Sequence, residues 1–237
     1  MAASEHRRVG AGAVTLAVLL GAVIGVGASS LLPASGSTAP PAPSAEVAGR
    51  VLDRDGTLKV IATGCGQQRS ASATVIGGDD GTPMLLTNAH VVRGAGTVDV
   101  LHDDGTTSAA TVVGSISGRD AAVLRIEPAD ATTGSPAAAE PAAVGDQVVV
   151  HGYPGGERVE LDATVRGAEP RSGYGGTATV LLIDVEADPG LSGGTVTDAE
   201  TGEVVALVAA RDPDSGHVVA YPVGELLGRA LGPIPGC

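Results

Sequence analysis

The sequence predicts an all-β protein built as two antiparallel β-barrels of about six strands each, and three observations carry that expectation. Short β-branched or apolar runs recur through the chain, turn clusters rich in Gly and Asp separate them, and one irregular Pro- and Ala-rich passage divides them into two blocks. A single β-sandwich is the alternative that the same pattern allows. The core must be made of Val, Leu, Ile and Ala, because the chain has no Trp and no Phe.

In chain order, residues 1–8 form a short charged leader in which Arg7 and Arg8 precede the uncharged apolar run Val9 to Ala28. That run is about as long as a bilayer core requires, and the positive residues before it place its start in the cytoplasm and everything downstream outside. It reads as a transmembrane anchor or as a signal peptide, since Val26 and Ala28 also fit a small-residue cleavage site. Residues 29–46 are rich in Pro, Ala and Ser and read as an extended linker. The folded domain is then expected over 47–237, with a first barrel at about 47–133 and a second at about 143–237.

The first block contains TLKVIAT, SATVIGG, PMLLTNA, TVDVL, TTSAATVVGSI and AAVLRI, punctuated by GGDDG, GAG and HDDG. Glu127 to Gly145 interrupts the pattern, which resumes with DQVVVHGY, RVELDATVRGA, TATVLLIDV, GGTVTD, EVVALVAA and HVVAYP. A short C-terminal helix is expected over Val223 to Leu231, entered by Pro222 and left at Gly232 and Pro233.

Composition removes whole classes of function. With 27 acidic against 14 basic residues and a formal charge of −13, the chain lacks the cations that phosphate-backbone binding needs. Its only aromatics are Tyr153, Tyr174 and Tyr221, too few for a base-stacking surface, so no nucleic-acid partner is expected. Metal-ligand clusters, phosphate loops and internal repeats are missing, and neither metal nor organic cofactor is expected.

DPGLSGGTVTD, Asp188 to Asp198, sets one serine, Ser192, between glycines at the join of two apolar runs. It is either a turn residue or a nucleophile, and a nucleophilic serine needs a base and an orienting acid elsewhere in the chain. His90 in LLTNAHVV stands where the chain leaves a strand, and Asp120 in SGRDAAVLRI just precedes a wholly apolar run. Each alone reads as an ordinary turn residue.

Together, TNAHVV, RDAAVLRI and PGLSGG resemble the three catalytic blocks of trypsin-like serine peptidases, in the order His, Asp, Ser. The resemblance is to the bacterial HtrA-like branch, above all to the membrane-anchored, disulfide-bearing periplasmic proteases of actinobacteria. It covers nearly all of Val47 to Cys237, including HGYPGG at His151 to Gly156. It implies a chymotrypsin-like double barrel with His90 and Asp120 on the first barrel and Ser192 on the second. Protein or peptide substrates are implied, cleaved by Ser192 with His90 as base and Asp120 as its orienter, and backbone N–H groups of Gly190 and Ser192 as the oxyanion hole. His102, His151 and His217 lack a paired block and read as turn or strand-end residues.

Glu186, six positions before Ser192, stands where trypsin-like enzymes place the base of the primary pocket; it reads either as a lure for basic side chains or as a solvated carboxylate. The only cysteines, Cys65 and Cys237, are expected to form a disulfide outside the cytoplasm, as the actinobacterial relatives carry cysteines at both places; two free thiols are the alternative. Three departures from the family pattern stand out. Leu191 stands where trypsin-like digestive enzymes carry an Asp, whose activation route is absent across the bacterial branch as well, Thr195 follows the two glycines in place of Pro, and SASATVIGG, starting at Ser70, lacks the glycines and aromatic of G-S-G-F-V-I. That last change is expected to loosen the wall near the cleft, which keeps a catalytically inactive peptide-binding pseudoprotease as the second class of function.

Overall fold

The computed structural model describes residues 56–77, 83–126, 135–173 and 176–237. The apolar run at 9–28, the linker at 29–46 and Tyr174 lie outside the described residues, and among those described no helix is long and apolar enough to cross a membrane.

Both expected barrels form. The first consists of β1 (Thr57–Gly64), β2 (Gln67–Gly77), β3 (Pro83–Thr87), β4 (Ala95–Leu101), β5 (Thr107–Ile116) and β6 (Ala122–Ile126), with the one-turn helix α1 (Ala89–Val92) after β3. Its sheet runs β5-β4-β1-β2-β3-β6 and closes through a β5–β6 pairing. The second consists of β7 (Gln147–Gly152), β8 (Val159–Gly173), β9 (Gly176–Glu186), β10 (Thr195–Asp198), β11 (Val204–Arg211) and β12 (His217–Pro222), closed in the order β10-β11-β12-β9-β8-β7. Closure removes the free edges that an open sheet of this size would expose.

The aliphatic composition serves three packed clusters. One fills the first barrel around Leu58, Val60, Leu85 and Leu124, and another fills the second around Val150, Leu181, Ile183 and Val196. The third lies between the barrels, joining Ile76, Leu86 and Ile116 of the first to Leu207, Val219 and Tyr221 of the second. Strand β11 explains its unbroken apolar run in these terms: Val205 and Val208 face its own barrel, while Val204, Leu207 and Ala209 face the junction.

The closing helix expected over Val223 to Leu231 is not formed. A single 3₁₀ turn, Val223–Glu225, runs into a turn that ends at Gly228 with φ +70°, a conformation that no helix interior accommodates. The tail then crosses to the first barrel, where β13 (Leu231–Gly232) pairs with β5. Its last residue, Cys237, is bonded to Cys65 across a Cα separation of 5.7 Å. Cys65 and Gly66 form the two-residue loop of the β1–β2 hairpin, both at positive φ, as a type I′ turn demands.

Candidate active site

His90 and Asp120 meet at the mouth of the first barrel. Asn88 leaves β3 in an extended conformation and starts α1, which swings His90 outward. Asp120 sits in the β5–β6 turn, where Asn88 Nδ2 donates to its carbonyl at 2.7 Å and its own N–H donates to the Tyr221 hydroxyl at 3.4 Å. Its carboxylate is buried and takes both donors from one residue: the His90 backbone N–H to Oδ1 at 2.9 Å and ring Nδ1 to Oδ2 at 2.6 Å. A carboxylate only accepts, so Nδ1 carries the imidazole proton and Nε2 is left as an acceptor. Next along the chain, buried Arg119 pairs with Glu225 beyond the second barrel, and that guanidinium is the leading cause holding the Glu225 carboxyl below its ordinary value.

Ser192 lies on the loop between β9 and β10, and the backbone accounting of that loop is nearly complete. The carbonyl of Asp188 accepts from Leu191 N, that of Pro189 from Gly155 N, and that of Leu191 from Gly194 N. The Gly190 carbonyl accepts from Ser72 Oγ at 2.8 Å, the Ser192 carbonyl from Ser72 N at 2.9 Å, and the Gly193 carbonyl from Thr74 Oγ1 at 3.1 Å. Leu191, Gly193 and Gly194 also donate their N–H groups within the fold. Among the described residues, the N–H groups of Gly190 and Ser192 have no partner, and these are the two that the sequence assigns to an oxyanion hole.

The glycines of this loop are required by close approach. Gly190 has φ +107°, and a Cβ there would overlap the Tyr153 carbonyl; at Gly193, φ +80°, it would overlap the Ser72 carbonyl. HGYPGG is therefore the platform beneath the loop. Leu191 is buried in the second barrel, and Gly152 makes room for it, since a Cβ at 152 would lie 2.8 Å from Leu191 Cδ2.

His90, Asp120 and Ser192 line one cleft of about 360 Å³, together with Tyr221, Ala209, Ala210 and Arg211. His90 and Ser192 both line this cleft, with no hydrogen bond between their side chains among the described residues. A second recess of about 200 Å³ opens beside Ser192, walled by Ala187, Leu191, Val208 and Ala210, with Asp188 and Arg211 also on its lining. Glu186 is not on that lining. Its side chain is 70 % exposed and lies 3.7 Å from Arg211.

The expected loosening at Ser70 to Gly78 does not occur where that stretch is described. Ala71 and Ala73 are buried in the first core, and Thr74 replaces the missing aromatic with hydrogen bonds. Ser72 and Thr74, two residues apart on β2, face the same way and hold the Ser192 loop of the opposite barrel. The sequence marks neither role, and the one signal it carries is that Ser72 keeps the serine of the G-S-G pattern. The other described histidines stay outside the cleft: His102 Nε2 is 2.8 Å from Ser108 Oγ, His151 Nε2 is 2.9 Å from Thr197 Oγ1, and His217 lies 3.6 Å from Asp184.

Double barrel, inter-barrel cleft and ordered His, Asp and Ser define a class of peptidase-like proteins. Residues 71–207 match the trypsin-like peptidase domain family, and the chain belongs to it. Serine protease Rv3671c of Mycobacterium tuberculosis is 34% identical over 183 residues, which is 73% of this chain and 44% of that protein. A probable periplasmic DegP-like serine endoprotease of Halomonas elongata is 31% identical over 145 residues, 60% of this chain and 29% of that protein. The chain thus spans less than half the length of these curated relatives. The crystal structure of the Rv3671c protease in its active form superimposes with a TM-score of 0.67 at 29% identity, covering 77% of this chain and 86% of that one.

Proposed function

We propose that this chain is a serine endopeptidase acting outside the cytoplasm through an acyl-enzyme intermediate. The observation that carries the reading is the convergence on one cleft of Ser192, a histidine held by a buried carboxylate, and two unpartnered N–H groups. Ser192 Oγ attacks the peptide carbonyl, and His90 Nε2 takes its proton and returns it to the leaving amine. Asp120 fixes the tautomer and stabilises the imidazolium. The Gly190 and Ser192 N–H groups receive the oxyanion that develops in the transition state. Water then repeats the sequence to release the acid product.

The extracytoplasmic reading rests on Arg7 and Arg8 before the apolar run, on the Cys65–Cys237 bond, and on relatives named as periplasmic. A membrane anchor or a cleaved leader at 9–28 delivers the domain equally well. Treating the full chain with a fluorophosphonate probe tests the reading, because only an activated serine reacts. Labelling is expected at Ser192 and should vanish in Ser192→Ala and His90→Ala. Asp120→Asn should label and turn over roughly 10⁴-fold more slowly, through the wrong tautomer. An unreactive wild-type protein would leave peptide binding as the function.

A further inference from the structure

A peptide plane carries its C=O and N–H on opposite sides, so holding the carbonyls of a loop aims its N–H groups. Gly190 needs such a hold, since glycine at φ +107° has many other conformations open to it. Its own N–H belongs to the Pro189–Gly190 plane, whose carbonyl is held by Gly155 N at 3.1 Å. The next plane, Gly190–Leu191, is held by Ser72 Oγ on its carbonyl at 2.8 Å and by the Asp188 carbonyl on its N–H at 3.1 Å.

Ser72 does more than close that one contact. Its hydroxyl accepts from Tyr153 N at 2.9 Å while donating to Gly190, so one oxygen ties the HGYPGG platform to the nucleophile loop. Its N–H holds the Ser192 carbonyl and its own carbonyl accepts from Thr87 Oγ1 at 2.7 Å. The residue is fully buried, and every hydrogen-bonding group it has is used.

We propose that Ser72 is a positioning residue: its hydroxyl holds the Gly190–Leu191 plane directly and, through Tyr153 N, the HGYPGG platform whose Gly155 N holds the Pro189–Gly190 plane, so that the Gly190 N–H stays turned into the cleft. The proposal rests on the proteolytic reading above. Without the hydroxyl, the part-buried Gly190 carbonyl and the buried Tyr153 N–H lose their partner together, which frees the Gly190–Leu191 plane and loosens the platform that holds the plane before it. Substrate binding along the rest of the cleft does not use this contact. The loss therefore falls on the transition state and not on the ground state.

Steady-state kinetics of the full chain with a peptide substrate, in Ser72→Ala and Ser72→Thr, test this. In Ser72→Ala kcat should fall about ten- to hundred-fold with KM within about two-fold, less than the loss from deleting an oxyanion donor itself. Affinity for a peptide boronic acid, which places an anionic oxygen in the hole, should fall by the same factor as kcat. Ser72→Thr keeps the hydroxyl and should recover most of both, and thermal melts of each variant report folding separately. Unchanged kcat in a folded Ser72→Ala, or a rise in KM that accounts for the whole loss, overturns the proposal, as does loss of folding in both variants. If the wild-type chain neither reacts with fluorophosphonate nor turns over peptide, the proteolytic reading has failed; a reactive wild type matched by Ser72→Ala refutes only the positioning role.

Discussion

Thr195 Oγ1 donates to Thr74 Oγ1 at 3.1 Å, joining the strand after the Ser192 loop to the second strand of the opposite barrel. The bond is one link in a directed series: Thr57 donates to Thr195 at 2.6 Å, Thr195 to Thr74, and Thr74 to the Gly193 carbonyl. All three hydroxyls are fully buried. Thr74 and Thr195 are also two of the positions where the chain departs from its family's pattern, so the departures compensate one another. Thr74→Val should cost roughly 1–3 kcal/mol, because it leaves a buried carbonyl unpaired. A double-mutant cycle with Thr195→Val should give a coupling of about 0.5–3 kcal/mol in thermal or denaturant unfolding, and additive losses would argue against the series.

The Cys65–Cys237 bond closes a loop of 172 residues and fastens a tail that leaves the second barrel onto the first. In the chain-entropy model a loop of that length contributes about 5 kcal/mol. Reduction, or Cys65→Ser, should lower the melting temperature by many degrees and depress turnover by releasing the strap that holds the barrels together. Non-reduced peptide mapping should recover the linked pair from the exported protein; two alkylatable thiols would rule it out.

Selectivity beside Ser192 turns on charge. Asp188 and Arg211 both lie on the recess lining and Glu186 does not, so the guanidinium offsets the one carboxylate that a cationic substrate side chain would meet there. Peptide-library profiling should favour small aliphatic residues before the cleaved bond. Arg211→Ala should raise cleavage after Lys and Arg by about two- to five-fold, the range that an exposed ion contact allows. If Glu186→Gln abolishes an existing preference for basic residues, Glu186 is the lure that its spacing suggests and the aliphatic assignment is wrong.

Acid sensitivity should have an identifiable source in the β11–β12 turn. The Ser215 hydroxyl, the Arg171 guanidinium and the Ser215 N–H hold the Asp212 carboxyl down to about 2. A depressed carboxylate gives its full stabilisation above the ordinary range near ~3.9 and loses it as pH falls through the folded value. Asp212→Asn should therefore lower the melting temperature at neutral pH and flatten its decline between about pH 4 and pH 2. Parallel curves for variant and wild type over that window would contradict this.

Both barrels were legible in the sequence because alternation and turn chemistry are local properties, and each run from TLKVIAT to HVVAYP became a strand. His90, Asp120 and Ser192 were singled out by block order, and the fold brings all three to one cleft. The closing helix does not form because Gly228, at φ +70°, ends the turn that follows Val223–Glu225, whatever the apolar spacing around it. Ser72 and Thr74 were invisible for another reason. Their partners lie 118 and 119 residues away, and only docking of one barrel on the other creates the contact. The same docking explains why residues that sequence comparison marks as losses prove to be a second solution for the same wall.

A chain with no tryptophan and three tyrosines carries its own optical probe. The Tyr153 backbone supports the Gly190 turn while its ring sits under the Arg158 guanidinium, and Tyr221 borders the cleft beside Asp120. Ultraviolet-excited emission from this protein arises from tyrosine alone, and two of its three emitters touch the working parts. Inhibitor occupancy and loop rearrangement should be readable from that emission without attaching any dye.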